Sequence, residues 1–251
     1  MLLFGIIWQL IKKDYIMMIK QHITRRVYLD DEAHDITIVG DLLDHTGFVM
    51  NISHITKIIE TAYESADLPM EFSFLQQCSS IILYWDKIKH LIHNAEIYSI
   101  KRHHVDRLGY DLFIKGDIPM LFETRLFDFC AAHYLHNDAL TRNDNHMLFG
   151  KCNEVHGHNF TLGVTVQGCF SHKLSDIINT DIIHKFDHTS LNSHDEFEHK
   201  IPTTENFTEV IWKILESHID NLHCISVRET NKNFFQYYGG VPNESATLIT
   251  E

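Results

Sequence analysis

The sequence predicts an α+β fold with antiparallel strands and helices on one face of the sheet. Apolar and polar residues alternate over residues 124–133 and 159–166, as in half-buried strands, and a polar loop over 137–148 separates them. Residues 202–206 (Pro-Thr-Thr-Glu-Asn) indicate a helix start, because threonine caps exposed amides and an acid lies in the first turn. A closing strand is predicted over 224–230. The order strand, strand, helix, strand favours α+β.

A weak internal repeat predicts two modules. With an offset of 127 residues, Trp85 corresponds to Trp212, and a helical run followed by an extended segment occurs in both halves. Self-similarity of this kind indicates a duplicated structural unit. We therefore predict modules over residues 20–115 and 121–240. The alternative is chance similarity between two amphipathic helix–strand pairs.

The composition is that of a folded protein with an excess of acidic residues. The chain has 251 residues, of which 44% are hydrophobic and 22% charged, so that it can bury a sizeable core. Its net charge of −13 argues against a nucleic-acid partner, because a phosphate-tracking surface needs a basic face. A phosphate-bearing ligand would need cations gathered locally. The candidates are Arg125, Lys151 and Lys185, together with basic residues contributed by a neighbouring module.

Cysteine usage and the first residues of the chain predict a cytoplasmic location. The five cysteines are an odd number without disulfide-like spacing, which fits a reducing compartment. Residues 1–11 are apolar, but they are far fewer than the ~20 residues that a membrane-spanning helix needs, and charged residues follow at once. We expect no membrane partner.

Three histidines predict a catalytic metal site. His156 and His158 begin a predicted strand, in which residues i and i+2 point to the same face, and Gly157 leaves space between them. His133 ends the facing strand of the predicted hairpin. Three neutral imidazoles with an open fourth position are typical of catalytic zinc, whereas structural zinc favours four ligands, mostly cysteine. The prediction depends on His133, because a His-x-His pair alone is a weak signal.

Further polar residues near this hairpin are candidates for catalysis or binding. Cys152, close to the predicted zinc and to Lys151, is a candidate base or nucleophile, or alternatively a fourth zinc ligand. In the pair Asp187–His188, the carboxylate would support the imidazolium form of a proton carrier. Glu229 is either a surface acid or, if buried, suited to bidentate recognition of a guanidine-like edge of a ligand.

Six segments of the second module occur in an order that is specific to one enzyme family. They are residues 128–133 (ending Ala-Ala-His), 149–153 (Phe-Gly-Lys-Cys-Asn), 156–160 (His-Gly-His-Asn-Phe), 187–192, 202–206 and 229–230. This set resembles the 6-pyruvoyl-tetrahydropterin synthase / 6-carboxy-tetrahydropterin synthase family over about residues 121–240. The resemblance implies a tunnelling fold, in which four-stranded antiparallel sheets with two helices each close into an oligomeric barrel.

The same resemblance implies a substrate, a cofactor and a role for each candidate residue. The substrate would be 7,8-dihydroneopterin triphosphate, and Zn²⁺ would polarise its side-chain hydroxyls. The implied zinc ligands are His133, His156 and His158. Cys152 would accept a proton, and Asp187 with His188 would relay it. Glu229 would anchor the pterin ring, and Thr204 and Glu205 would also contact the substrate.

The spacing Cys152-x-x-x-His156 resembles the carboxy-type enzymes of queuosine (7-deazaguanine) biosynthesis. We therefore predict formation of 6-carboxy-5,6,7,8-tetrahydropterin with loss of acetaldehyde and triphosphate. Three alternatives stay open: triphosphate elimination to the pyruvoyl product, an inactive zinc-binding homologue, and a structural zinc protein with Cys152 as a ligand.

The first module is predicted to be catalytically inactive. It has no His-Gly-His pair, and Arg102 stands where Glu229 would be. We expect this module to serve as a barrel-building copy in a homo-oligomer, with two modules per chain replacing two subunits of the usual assembly.

Overall fold

The computed structural model describes most of the chain in two compact units. The described residues are 21–29, 32–41, 49–65, 74–93, 95–105, 107–115, 118–230 and 233–240. One unit comprises Met1–His103 with Asp111–Met120, and the other comprises His104–Tyr110 with Leu121–Glu251. The apolar residues 1–11 lie outside the described residues. Within those residues, no helix has both the length and the hydropathy needed to cross a membrane.

The first unit contains a meander of antiparallel strands with two helices inserted between the second and third strands. In chain order its elements are β1 (Gln21–Leu29), β2 (Glu32–Gly40), α1 (Ile52–Ser65), α2 (Phe74–Lys89), β3 (Glu96–Val105) and β4 (Leu108–Lys115). Strand β2 lies between β1 and β3, and both pairings are antiparallel. Helix α1 buries Ile55, Ile58, Ile59 and Ala62, a helical spacing that forms one apolar stripe.

The second unit has the same order of main strands and helices, with additional short elements. These are β5 (Ile118–His133), α3 (Arg142–Phe149), β6 (His156–Gln167), α4 (His172–Ile178), α5 (His184–Phe186), β7 (Thr189–Ser190), α6 (Thr204–Leu215), β8 (Leu222–Thr230) and β9 (Asn233–Tyr237). The sheet order is β5-β6-β8-β9, and all three pairings are antiparallel. The predicted α+β fold with an antiparallel sheet is therefore confirmed.

Helix α3 corrects the prediction of a polar loop over residues 137–148. Thr141 caps this helix by accepting a hydrogen bond from the backbone amide of Asp144. Asn145 is fully buried, and its side-chain amide donates to the carbonyl groups of Asn137, Leu140 and Thr141. Short polar residues can organise a helix and its preceding turn in this way, so their presence did not indicate an irregular loop.

The core of the second unit is aromatic and lies directly beneath the end of the β5–β6 hairpin. Phe129 and Phe160 are cross-strand partners with ring centroids 5.5 Å apart. Phe207 of α6 packs edge-on against both. The predicted helix start is also correct, because Thr203 caps α6 through the amide of Asn206. These contacts fix the strand ends on which the candidate site is built.

The two units differ most in the connection between their first two strands. Only residues 30–31 separate β1 from β2, whereas residues 134–155 separate β5 from β6. The long connection of the second unit contains α3 and Cys152. The first unit therefore has no counterpart of the Cys152 loop, in agreement with its lack of a His-Gly-His pair.

The cysteines depart from expectation at one position. Cys224 is buried in β8, and burial raises the pKa of its thiol to about 12, as expected for a small apolar residue. Cys169, by contrast, is bonded in a disulfide. The lack of disulfide-like spacing therefore did not exclude a disulfide at Cys169, since sequence spacing does not report which residues a fold brings together.

Candidate active site

The structure brings the three predicted histidines together at the open end of the β5–β6 hairpin. His133 is the last residue of β5 and pairs with His156, the first residue of β6. The ring centroids of His133 and His156 are 4.5 Å apart, and that of His158 lies 5.1 and 4.9 Å from them. One ring nitrogen of each histidine lies within 4.8 Å of the others. These distances suit three imidazoles around one ion.

Backbone carbonyl groups fix the orientation of two of these rings. The Nδ1 of His133 donates to the carbonyl of Pro202 at 2.7 Å, and the Nδ1 of His156 donates to the carbonyl of Glu154 at 2.7 Å. In the neutral imidazole, a proton on Nδ1 leaves Nε2 as a lone-pair donor. Such outer contacts commonly orient metal-binding histidines. Pro202 and Glu154 were not predicted as site residues.

The Nε2 atoms fit a transition metal better than they fit any protein partner. Those of His133 and His158 are buried and form no hydrogen bond with the described residues. Burial is the main cause that lowers the pKa of both rings, which favours the neutral, metal-binding form. A buried polar atom without a partner is costly. The donor set and its orphaned nitrogens therefore fit Zn²⁺.

Glu229 is part of this centre and is not a surface acid. Its side chain is 16% exposed, and Oε1 lies 3.2 Å from Nε2 of His158 and 3.5 Å from Nε2 of His133. The pairing of β8 with β9 shifts register between Arg228 and Thr230, so that Glu229 sits at a strand irregularity. Irregularities of this kind often redirect a side chain next to an active site.

Cys152 lies on the loop that enters β6. It belongs to a 3₁₀ turn, Gly150–Asn153, and is exposed. Two hydrogen bonds with the backbone of Leu135 hold this turn in place. The amide of Leu135 donates to the carbonyl of Cys152 at 2.7 Å, and the side-chain amide of Asn153 donates to the carbonyl of Leu135 at 2.7 Å. Gly150 has a φ of +55°, a conformation that favours glycine. The role of the thiol in proton transfer stays a prediction.

Asp187 and His188 form the predicted pair. Oδ2 of Asp187 lies 2.9 Å from Nδ1 of His188, whose side chain is 78% exposed. The amide of Cys130 donates to Oδ1 of Asp187 at 2.8 Å, and this bond is the main cause that lowers the pKa of the carboxyl. His188 has a φ of +57°, uncommon for a residue with a side chain. Its amide donates to the carbonyl of Cys130 at 2.6 Å.

The Asp187–His188 pair is therefore hydrogen-bonded to the backbone of Cys130. Side chains alternate along β5, so Cys130 faces the side of the sheet opposite to His133. A pocket of about 580 Å³ is lined there by Cys130, Asn159, His188 and neighbouring residues. The thiol of Cys130 donates to Oδ1 of Asn159 at 2.9 Å. The sequence analysis assigned no role to Cys130, although its cross-strand pairing with Asn159 follows from the register of the two histidine strands.

Thr204 and Glu205, the other two residues predicted to contact the substrate, lie at the start of α6. Thr204 is buried and its carbonyl accepts from the hydroxyl of Thr208 at 2.7 Å. Glu205 is exposed in the first turn of α6. The segment at residues 202–206 supports the centre chiefly through the Pro202 carbonyl, and contact between Thr204 or Glu205 and the substrate stays a prediction.

The three candidate phosphate ligands differ in whether their charge already faces a carboxylate. Arg125 donates to buried Glu123 at 3.0 Å, and Lys185 pairs with Glu196. Lys151 is exposed on the same turn as Cys152. Of the three candidates, Lys151 is therefore the one best placed to approach an anion near the thiol.

Comparison with known proteins matches the second unit to one enzyme family. The family described as 6-pyruvoyl tetrahydropterin synthase matches residues 123–240. The 6-pyruvoyl tetrahydrobiopterin synthase of Drosophila melanogaster is 34% identical over 139 residues, which cover 49% of this chain and 83% of that protein. The 6-carboxy-5,6,7,8-tetrahydropterin synthase of Bacillus subtilis is 29% identical, covering 43% of this chain and 77% of that protein.

A solved structure of the Caenorhabditis elegans 6-pyruvoyl tetrahydropterin synthase is 28% identical and superposes with a TM-score of 0.45, covering 49% of this chain and 97% of that one. The matched family region contains the histidine cluster, the Cys152 turn, Asp187–His188 and Glu229. This chain belongs to the 6-pyruvoyl tetrahydropterin synthase family.

Proposed function

We propose that the second unit is a zinc-dependent lyase acting on 7,8-dihydroneopterin triphosphate. With one water, the substrate would give 6-carboxy-5,6,7,8-tetrahydropterin, acetaldehyde and triphosphate, in queuosine (7-deazaguanine) biosynthesis. The observation that carries this proposal is the convergence of His133, His156 and His158, with the Nε2 atoms of His133 and His158 buried and without a hydrogen bond to the described residues. Zinc, when bound, would supply Lewis-acid polarisation of the substrate's side-chain hydroxyls.

The residues around the histidines have complementary roles in this proposal. The Pro202 and Glu154 carbonyls hold the rings in the tautomer that binds metal. Cys152 accepts a proton from substrate carbon, for which its exposed position leaves room. Glu229 binds the amino-pyrimidine edge of the pterin with two hydrogen bonds.

Asp187 and His188 carry the proton onward in this scheme. The carboxylate of Asp187 accepts the Nδ1 proton of His188 and so orients the imidazole ring. Exposure of the imidazole allows exchange with solvent or with an incoming group. The pair contacts Cys130, which faces the side of the sheet opposite to His133. Proton transfer by this pair therefore requires a substrate that extends around the end of the sheet, or the corresponding pair of another chain.

The pyruvoyl reaction is the second candidate. Relatives from Drosophila melanogaster and Dictyostelium discoideum, 34% and 32% identical, are named as 6-pyruvoyl tetrahydrobiopterin synthases. In that reaction, triphosphate leaves without release of acetaldehyde. An inactive zinc-binding homologue is the third candidate.

One incubation distinguishes these candidates. Purified protein is mixed with 7,8-dihydroneopterin triphosphate, and pterin products and acetaldehyde are quantified. We expect 6-carboxy-tetrahydropterin and acetaldehyde in equal amounts, whereas a pyruvoyl product without acetaldehyde would select the second candidate. Protein that binds zinc but gives no product would be the inactive homologue.

Two variants separate metal binding from proton transfer. We expect Cys152→Ala to keep zinc and lose turnover, and His156→Ala to lose both. Loss of zinc from Cys152→Ala would instead favour the thiol as a structural ligand. Cys224→Ala is the control. Cys224 is a free, buried cysteine that pairs with Thr165, at the other end of β6 from His156 and His158, so its loss should leave zinc binding unchanged.

We also propose that the first unit is a non-catalytic copy that builds a homo-oligomeric barrel. Its strands and helices follow the same order as those of the second unit, but two residues replace the whole Cys152 loop. Arg102 of β3 stands at the position of Glu229. Native mass spectrometry tests this proposal: a defined oligomer is expected, and a stable monomer would contradict it.

A further inference from the structure

The side chain of Asn192 pairs with both backbone groups of Tyr134. Oδ1 of Asn192 accepts from the Tyr134 amide at 2.9 Å, and Nδ2 donates to the Tyr134 carbonyl at 3.0 Å. Because an amide N–H needs an acceptor and a carbonyl needs a donor, only one orientation of the Asn192 side chain satisfies both groups. Tyr134 directly follows His133, the last residue of β5. Asn192 therefore holds the end of the strand that carries one of the clustered histidines.

The same strand also holds the Asp187–His188 pair. The Cys130 amide donates to Oδ1 of Asp187 at 2.8 Å, and the His188 amide donates to the Cys130 carbonyl at 2.6 Å. The backbone groups of every second residue point to the same edge of a strand, so Cys130 and Tyr134 present theirs to one side. The segment from Asp187 to Asn192 is therefore attached to this edge at both of its ends.

His188 is the residue of this segment that most needs support. Its φ of +57° is uncommon for a residue with a side chain and persists only where the surrounding structure holds it. The strand that follows it, β7, has only two residues, Thr189 and Ser190. The pairing of Asn192 with Tyr134 continues the attachment to β5 beyond this short strand. Without the Asn192 side chain, the segment could move away from β5 and the His188 ring would lose its fixed place.

We propose that Asn192 is a positioning residue, which fixes the Asp187–His188 pair for proton transfer without itself contacting the substrate. This inference rests on the proposed function, since it requires that the pair take part in turnover. Placement matters for such a step, because a shift of about 1 Å in a reacting group can cost about 100-fold in rate. The effect of Asn192 on the reaction is then transmitted through His188.

Steady-state kinetics of Asn192→Ala with 7,8-dihydroneopterin triphosphate test this inference. We expect kcat to fall about 10- to 100-fold, with KM within about threefold of the parent value and the zinc content unchanged. Asn221→Ala is the matched control. The Asn221 side chain also donates to a backbone carbonyl, that of Gln167 at 2.7 Å, at the end of β6 remote from His156. This control should match the parent protein in all three measurements.

A double-mutant cycle shows whether Asn192 acts through His188. If Asn192 positions the imidazole, Asn192→Ala should lower kcat by less than about twofold in a His188→Ala background. A purely structural role would instead give the same loss of kcat in both backgrounds, and that result would overturn the inference. A parent-like kcat of Asn192→Ala, or a loss of zinc together with kcat, would overturn it as well.

Amide hydrogen exchange, resolved to single residues, tests the placement without turnover. In Asn192→Ala, the amides of Tyr134 and His188 should exchange faster than in the parent, whereas that of Leu162, in the middle of β6, should keep its rate. If the His188 amide keeps the parent rate, Asn192 does not position the pair and the inference is wrong. If the parent forms no pterin product, the proposed function is wrong, and the role of Asn192 in turnover is wrong with it.

Discussion

Phe207→Ala should be among the most destabilising single substitutions in the second unit. The Phe207 side chain is 0% exposed. Its ring centroid lies 5.9 Å from that of Phe129, 5.6 Å from that of Phe160 and 5.1 Å from that of Phe186, all at steep interplanar angles. Aromatic pairs in this geometry contribute beyond their buried area. The substitution removes the ring that joins α6 to the hairpin and leaves a cavity.

The expected loss is about 4 kcal/mol in the free energy of unfolding, within the range for buried phenylalanine replaced by alanine. Urea unfolding followed by circular dichroism measures it, with an unchanged denaturant slope indicating an unchanged denatured state. Phe234→Ala is the control, because that ring is 58% exposed and its removal should change stability by less than about 0.5 kcal/mol. A loss below about 1 kcal/mol at Phe207 would show that the aromatic cluster does not support the fold as described.

The same substitution should also weaken metal binding. The ring centroid of Phe160 lies 5.6 Å from that of His158 and 6.2 Å from that of His133, so the Phe160 ring packs directly against two of the histidines. When Phe207 is lost, Phe160 can move into the cavity and the rings above it lose their fixed positions. Zinc affinity of Phe207→Ala, measured under conditions where the variant is folded, should be lower than that of Phe234→Ala. Equal affinities would mean that the hairpin holds the histidines without the core.

Two further predictions concern backbone and charge. Gly239 has a φ of +75°, and an added Cβ would lie 2.3 Å from the ring of Trp212, whereas Gly168 has a φ of +87° and open space. Gly239→Ala should therefore lose about 1–3 kcal/mol more stability than Gly168→Ala and change tryptophan fluorescence; equal losses would exclude the clash. The Arg26 guanidinium, hydrogen-bonded at 2.7 Å, lowers the pKa of Asp35 to about 2. A carboxyl group whose pKa is lower in the folded than in the unfolded protein stabilises the fold at pH values above its unfolded-state pKa. This contribution is lost as the pH falls through the folded-state pKa. Asp35→Asn should thus cost about 1 kcal/mol at pH 7, with the difference from the parent closing between about pH 4 and pH 2 in urea titrations; a constant difference would refute the ion pair.

Period-two alternation, together with the predicted hairpin, was sufficient to predict that the three histidines lie on one face. In a strand, His156 and His158 share one side, and a hairpin places His133 opposite them, as the register shows. The helix start at Thr203 followed from capping chemistry that acts within three residues. Such features depend on local geometry, so a single sequence carries them.

Other parts of the site depend on contacts between distant segments. The carbonyl groups of Pro202 and Glu154 orient two rings, but every residue has a carbonyl, so no residue type marks these positions. Cys130 meets Asp187 because the short strand β7 pairs in parallel with the end of β5. Nothing in the sequence near either residue specifies that pairing.

The half-buried position of Glu229 also depends on contacts between distant segments. Spacing on β8 indicated a surface acid by default, and only the arrangement of β8 beside β6 brings its oxygen to the histidines. The resemblance to the enzyme family implied a functional role for Glu229, whereas its distance from the histidine nitrogens follows only from the fold.

Anomalous diffraction at the zinc absorption edge, on crystals of the purified full chain grown with zinc, tests the central claim most directly. The account predicts one peak about 2.0–2.1 Å from the Nε2 atoms of His133, His156 and His158 together. Density that shows no peak among these three nitrogens, or a peak bound by other residues in their place, would contradict it.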